Sequence, residues 1–438
     1  MTRPDEALQS GVARFPARRT RHISWAPSGW LVNHTTRHRC TDFVTLTCPD
    51  DFLAVRIGFT NITPVHYVIT KVIAAASTTL HDHVNPTGVS FWQPMSFANN
   101  GRPVDEIVSA TDAPTTITVW GKQDQTPHAA GIPRWTWTDW APLRSLPRTD
   151  VPCAPRVLMI RLLLQEGCYR TTPNGGFGEF HLTPAMNLGS SYVGGQILRD
   201  VVTVPEAVNA ADAKLGIAFP AVSCVQFLTR NDGFVGMAAG DSHHQGTSTT
   251  TQFWNYLMRS TIELNARYAG RVPFGYWSTA QGGTDSEWFF GCLTNILDVA
   301  RPSFIVLPGW TYNDITLAEH ADRAANMTFL SRLLMTAESC ARSGAIPVFL
   351  TPFPRDAGSM TPVQVGAWHE LRDAIRSLRT SGAVVLDATR MLGRQLNDVM
   401  DGTYQSEYTD DNVHPNNAGH AAISAALTPL IERICGLT

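Results

Sequence analysis

The sequence predicts two domains, an N-terminal antiparallel β-sandwich or jelly roll and a C-terminal α/β domain built on a parallel sheet. Three observations predict it. The 438 residues exceed what one hydrophobic core usually supports. Up to about residue 230 the apolar residues fall in short runs bounded by Pro, Gly, Asn or Asp, and after residue 231 short apolar strands alternate with long amphipathic stretches. Residues 1–22 read as an extension, 23–230 as the β domain and 231–438 as the α/β domain.

In the first domain the strand-like runs are "DFLAVRIGFT", "HYVITKVIAAAS", "TTITVWGK", "PRWTWTDW", "RVLMIRLLLQ" and "VSCVQFLTR". Their β-branched and aromatic content, separated by turn chemistry, is that of an antiparallel sandwich. A Pro-rich stretch, "APLRSLPRTDVPCAPR", interrupts them. Alternation in "RWTWTDW" puts Trp135 and Trp137 on one face of a strand, as sandwich core more readily than as a saccharide platform. The first half also holds Trp25, Trp30, Trp92, Trp120 and Trp140.

In the second domain "GFVGMAAG" leads to a helix near 248–268, "VPFGYWSTA" to one near 285–300 and "FIVLPG" to one near 315–343. "IPVFLTPFP" then leads to a helix near 362–380, and "AVVLDA" precedes a last helix after His414. Strand-helix alternation favours a parallel sheet covered on both faces, with ligands at the carboxyl ends of its strands.

Composition excludes several classes. Apolar residues make up 43% and charged residues 16%, which are globular values. A net charge of −3 without charge blocks gives no case for nucleic acid or a membrane surface. No apolar run approaches the roughly 18 residues that span a bilayer, and the first residues carry no apolar leader core, so a soluble protein is expected. Whether it is cytoplasmic or secreted stays open, as does its oligomeric state. Eight cysteines without CxxC spacing read as small buried hydrophobes, with a Cys40–Cys48 bridge across a hairpin as an open alternative. His243-His244 and the His81 and His83 of "LHDH" lack a carboxylate or thiolate at ligand spacing, so no metal is expected. No cofactor is called for.

The chemistry gathers at the strand ends. "GFVGMAAGDSHHQG" places Ser242 directly after a buried strand. A serine hydroxyl becomes a nucleophile only when a base removes its proton, and that base needs a third group to orient it. "YTDDNVHPNNAGH" supplies both in Asp411 and His414, three residues apart. An oxyanion needs donors, and "STAQGGTDS" offers Gly283, with Gly282 as the alternative, while "LPGWTYNDI" offers the Asn313 amide. The Ser242 N–H is a further donor. His243, Trp310 and Tyr312 stand where they could line a substrate cleft. An α/β-hydrolase elbow is excluded, because Gly-x-Ser-x-Gly fails at His244.

These blocks resemble the SGNH hydrolase superfamily, the GDSL esterases and lipases. Gly240-Asp241-Ser242, Gly283, Asn313-Asp314 and Asp411-Asn412-Val413-His414-Pro415 occur in the family's order over roughly residues 231–438. The third block departs from Gly-x-Asn-Asp, since Trp310-Thr311-Tyr312 separate Gly309 from Asn313. The resemblance implies a flavodoxin-like sheet, Ser242 as nucleophile, His414 as base, Asp411 as its orienting acid, and Ser242, Gly283 and Asn313 as oxyanion donors. A β-sandwich ahead of such a domain resembles carbohydrate esterases, so the expected substrate is a small or polysaccharide ester, most plainly an O-acetylated saccharide. The alternatives are a lipase, thioesterase or acyltransferase of the same fold, and a saccharide-binding protein with a remnant domain.

Overall fold

A computed structural model describes residues 17–26, 40–60, 67–79, 91–105, 114–119, 135–149, 155–165, 192–197, 214–215, 222–249, 254–311, 313–314, 323–355, 360–396 and 399–438. The chain divides into two compact units. A β unit comprises Arg21–Gly233 and Ile262–Gly275, and an α/β unit comprises the residues up to Thr20, Phe234–Thr261 and Tyr276–Thr438.

The first strands are β1 (Thr20–Ala26), β2 (Cys40–Cys48), β3 (Phe52–Phe59), β4 (Tyr67–Ser77), β5 (Gln93–Met95) and β6 (Ile117–Val119). They are followed by β7 (Thr136–Trp137), β8 (Ala141–Pro142), β9 (Arg156–Leu164), β10 (Tyr192–Ile197), β11 (Lys214–Leu215) and β12 (Val222–Ala238). One antiparallel sheet runs β11-β10-β2-β9-β4-β5, with β6 also on β4. Strand β3 pairs antiparallel with β7, β8 and the first part of β12. Period-two alternation decides what is buried between them. Val55, Ile57 and Phe59 of β3 share one apolar cluster with Leu158, Ile160, Leu162 and Leu164 of β9 and with Val72, Ala74 and Ala76 of β4. Each fully buried large side chain there contributes about 1.5–3 kcal/mol.

The described tryptophan side chains of the β unit, Trp92, Trp135, Trp137 and Trp140, pack against its other residues. Trp137 and Trp140 are buried, and the buried Arg56 guanidinium lies over both, 5.1 and 4.8 Å from the ring centroids. Trp135 stacks on Trp137 at 5.2 Å, as the alternation requires. Trp92 covers Ile73, Leu163, Val157 and Met159 on the other face of the sheet. Trp30 and Trp120, and the side chain of Trp25, lie outside the described residues.

One alternative that the sequence leaves open is closed. Cys40 and Cys48 occupy the two ends of one strand, pairing with Leu164 and Arg156 of β9. Eight residues of extended chain separate their Cα atoms by about 26 Å, far beyond disulfide reach. Cys48 is free and buried. Strand β12 runs unbroken from Val222 to Ala238, through the point near residue 231 where the sequence divides the chain and through the break between the two compact units after Gly233. The polar residues there do not make a turn, because Asp50 accepts from the Asn231 backbone and amide at 2.8 and 3.0 Å.

The α/β unit continues from β12 with β13 (Phe274–Ser278), β14 (Phe304–Leu307), β15 (Ile346–Leu350) and β16 (Val384–Leu386), in the order β13-β12-β14-β15-β16. Counted by appearance from β12 this is 2-1-3-4-5, a doubly wound order whose ligand position is the switch point between the first and third strands. The pairs β12–β14, β14–β15 and β15–β16 are parallel. The helices are α1 (Ser242–Gln245), α2 (Tyr256–Arg267), α3 (Ser286–Thr294), α4 (Leu297–Ala300), α5 (Arg323–Arg342), α6 (Pro362–Ser377), α7 (Ala388–Leu392) and α8 (Asn417–Ile434). A hairpin of β17 (Gly393–Leu396) and β18 (Val399–Tyr404) lies between α7 and α8 in sequence. The helix starts follow local chemistry: Asp285 caps α3, Thr361 and Gln364 form a capping box with Pro362 on α6, and Asn416 caps α8. Among the described residues no helix is long and apolar enough to cross a membrane.

Candidate active site

The switch point is where Ser242 stands. Strand β12 ends at Ala238, and the chain turns through Gly240 at φ 145° into α1, whose first residue is Ser242. A Cβ on Gly240 would lie 2.4 Å from the His244 ring, so both backbone and space require glycine here. Asp241 caps α1 by accepting from the His243 N–H at 3.0 Å. Its buried carboxylate also receives the Thr311 hydroxyl at 2.6 Å, which ties the loop after β14 to the loop after β12.

The second element is the loop before α8. Asn412 takes φ 59°, a left-handed conformation that Asn tolerates. The turn lets Asp411 Oδ1 accept from the Val413 and His414 N–H groups at 2.8 and 2.7 Å. Asp411 Oδ2 lies 2.7 Å from His414 Nδ1, and Ser248 donates to the same oxygen at 3.4 Å. A carboxylate only accepts, so the imidazole proton sits on Nδ1 and Nε2 is bare. That Nε2 lies 2.9 Å from Ser242 Oγ and accepts its hydrogen bond. Ser242, His414 and Asp411 therefore form one continuous chain of hydrogen bonds.

Electrostatics fit that protonation. Burial raises the Asp411 pKa, but the hydrogen bonds from the His414 ring and from the His414 and Val413 backbone outweigh it, bringing it down to about 2. Burial lowers the His414 pKa, and the neighbouring charge of His243 lowers it further against the opposing pull of Asp411.

The donor loops sit beside the serine. A Cβ on Gly282 would be 3.6 Å from Ser242 Cβ, and the Gly282 N–H donates to Gln245 Oε1 at 2.8 Å. Gly283, at φ 77°, has open space where a side chain would be, and its N–H makes no hydrogen bond with a described residue. The Asn313 amide donates one N–H to the Thr284 carbonyl at 2.8 Å, and its backbone N–H donates to Thr311 Oγ1 at 3.2 Å. The longer third loop thus remains anchored to the second, with one amide N–H of Asn313 left over.

The proposed cleft residues fare differently. His243 and Trp310 are each only 6% exposed, so neither presents a wall to solvent, and Tyr312 lies outside the described residues. His243 donates from Nδ1 to Asp241 at 2.9 Å and its ring centroid lies 5.1 Å from that of His414. His244 instead meets the Tyr256 hydroxyl at 2.9 Å. The adjacent histidines therefore face different partners; His81 and His83 lie outside the described residues, among which no group of His, Cys, Asp and Glu could hold a metal ion. Thr311 and Gln245 were missed by sequence reasoning. Nothing in their spacing marks them, because both act through the fold rather than through a motif.

A scan against protein-family models finds no match, and a search of curated proteins finds none either. Among solved structures, the chain is similar to a GDSL-like lipase from Bacteroides thetaiotaomicron, at 14% identity and TM-score 0.35 over 45% of this chain and 88% of that one. A variant of an acetyl xylan esterase from Geobacillus stearothermophilus aligns at 15% identity and TM-score 0.34, covering 45% and 94%. A lipase/acylhydrolase from Enterococcus faecalis aligns at 14% identity and TM-score 0.34, covering 45% and 95%.

Proposed function

We propose that the chain is a serine ester hydrolase of the SGNH type, acting on acetyl esters carried by a saccharide. The observation that carries the reading is the hydrogen-bonded chain Ser242 Oγ, His414 Nε2, His414 Nδ1, Asp411 Oδ2, at 2.9 and 2.7 Å. His414 takes the hydroxyl proton as Ser242 Oγ attacks the acyl carbon, and Asp411 stabilises the imidazolium that results. The N–H groups of Ser242 and Gly283 and the free amide N–H of Asn313 receive the oxyanion. His414 then gives the proton to the leaving alcohol, an acyl-enzyme on Ser242 remains, and water activated by the same imidazole releases the acid. Acetyl and saccharide are assigned from the resemblance of the two-part chain to carbohydrate esterases. Turnover of a panel of small acyl esters and an acetylated polysaccharide tests this: acetyl esters are cleaved fastest, and a preference for long acyl chains would contradict the assignment.

A further inference from the structure

The α/β unit carries a second concentration of charge, at the edge strand of its sheet. An open cavity of about 340 Å³ is lined by Arg376, Arg379, Asp387, Arg390 and Gln395. Its one carboxylate is already committed. Asp387 Oδ2 accepts from Arg376 Nε at 2.9 Å, while Oδ1 accepts from Arg376 Nη2 at 3.1 Å, the Thr351 hydroxyl at 3.0 Å and the Arg390 N–H at 3.2 Å. Arg376 is therefore neutralised and fixed.

The other two guanidinium groups are not. Arg379 donates from Nη2 to the Val385 carbonyl at 3.3 Å, but its Nε is buried without an acceptor. The exposed Arg390 side chain makes no hydrogen bond among the described residues. Three arginines against one carboxylate leave two positive charges at the cavity. Planar N–H forks of this kind match the oxygens of a carboxylate or phosphate.

We propose that this cavity is an oxyanion-binding site, with Arg379 and Arg390 gripping the anion beside the Arg376–Asp387 pair. Two sources share that chemistry: free inorganic phosphate, and the carboxylate of an acidic sugar. Asp387 follows β16 and Ser242 follows β12, three strand positions apart on the same carboxyl rim, which is about 14 Å. That distance suits an acidic residue of a polymer whose ester lies at Ser242, a refinement that rests on the esterase reading; anion binding itself does not.

The test titrates phosphate and glucuronate separately into the full chain at low ionic strength, followed by calorimetry, with Arg379→Gln and Arg390→Gln alongside. At least one anion binds saturably to the wild type and about tenfold more weakly to each variant, the loss of one charge-assisted contact. Phosphate binding alone identifies a free-ion site. Glucuronate binding, with KM for an acetylated acidic polysaccharide raised in the variants and turnover of a small neutral ester unchanged, identifies a substrate subsite. The absence of saturable binding by both anions, or binding undiminished in the exposed-site variant Arg390→Gln, overturns the proposal. Because binding is read without turnover, an inactive chain would not disturb the result.

Discussion

Gln245 accepts the Gly282 N–H at 2.8 Å, and this one bond distinguishes the two tandem glycines of the second loop. Gly282 has its donor committed, whereas the Gly283 N–H makes no hydrogen bond with a described residue. Replacing Gln245 by Leu should loosen that loop without touching the nucleophile, lowering kcat on a small acetyl ester by about tenfold with KM little changed. Steady-state kinetics reads the split. An unchanged kcat would remove Gln245 from the positioning of the loop.

The Asn313 side chain has two amide hydrogens, one held by the Thr284 carbonyl. Asn313→Ala should lower kcat by about 10² to 10³ with little change in KM, the cost of one oxyanion donor. Melting of the variant at the assay temperature would instead make the anchoring bond its main role, which thermal unfolding measured beside the kinetics distinguishes.

The base must be neutral to accept the serine proton, so kcat/KM should rise with pH through an apparent pKa below the ordinary histidine value near 6.5. Burial and the His243 charge produce that lowering. His243→Gln removes the imidazole that acts on His414 but can still hydrogen-bond Asp241, and the acid limb should then move to higher pH. A limb that stays in place would show that His243 does not act on His414.

His420 is fully buried, with neither ring nitrogen hydrogen-bonded, and its pKa lies well below the usual value because burial disfavours the charged form. Burial likewise takes His244 down to about 4. For both groups the unfolded chain binds the proton first, so stability is present above about pH 6.5 and is lost as pH falls below it, for His244 down to about 4. His420→Leu should flatten part of that slope and raise stability at pH 7 by about 1 kcal/mol, since an unpaired polar group is removed. Thermal unfolding at pH 7 and pH 5 checks it, and a large loss of stability in the variant would mean that the imidazole has a partner it needs.

The site was legible where local chemistry writes the motif. Asp411, Asn412 and His414 make their own turn from backbone and side-chain bonds, and Gly240 is dictated by its conformation, so both blocks stand out in one dimension. The strand-helix alternation gave every strand of the parallel sheet for the same reason. The course of β12 was not legible, because Asn231 reads as a turn residue until Asp50, far away in sequence, is seen to satisfy it. The burial of His243 was hidden in a similar way, because Phe353, far along the chain, meets its ring only after folding.

The central claim is that Ser242 is the nucleophile of an ester hydrolase, and the most direct measurement is turnover of a small acetyl ester by the wild type and by Ser242→Ala. The serine is the partly exposed first residue of a short helix, so the substitution should leave stability within about 0.5 kcal/mol. The account predicts turnover by the wild type and a loss of at least about 10⁴-fold in the folded variant. Hydrolysis by the variant at a rate near that of the wild type would contradict it.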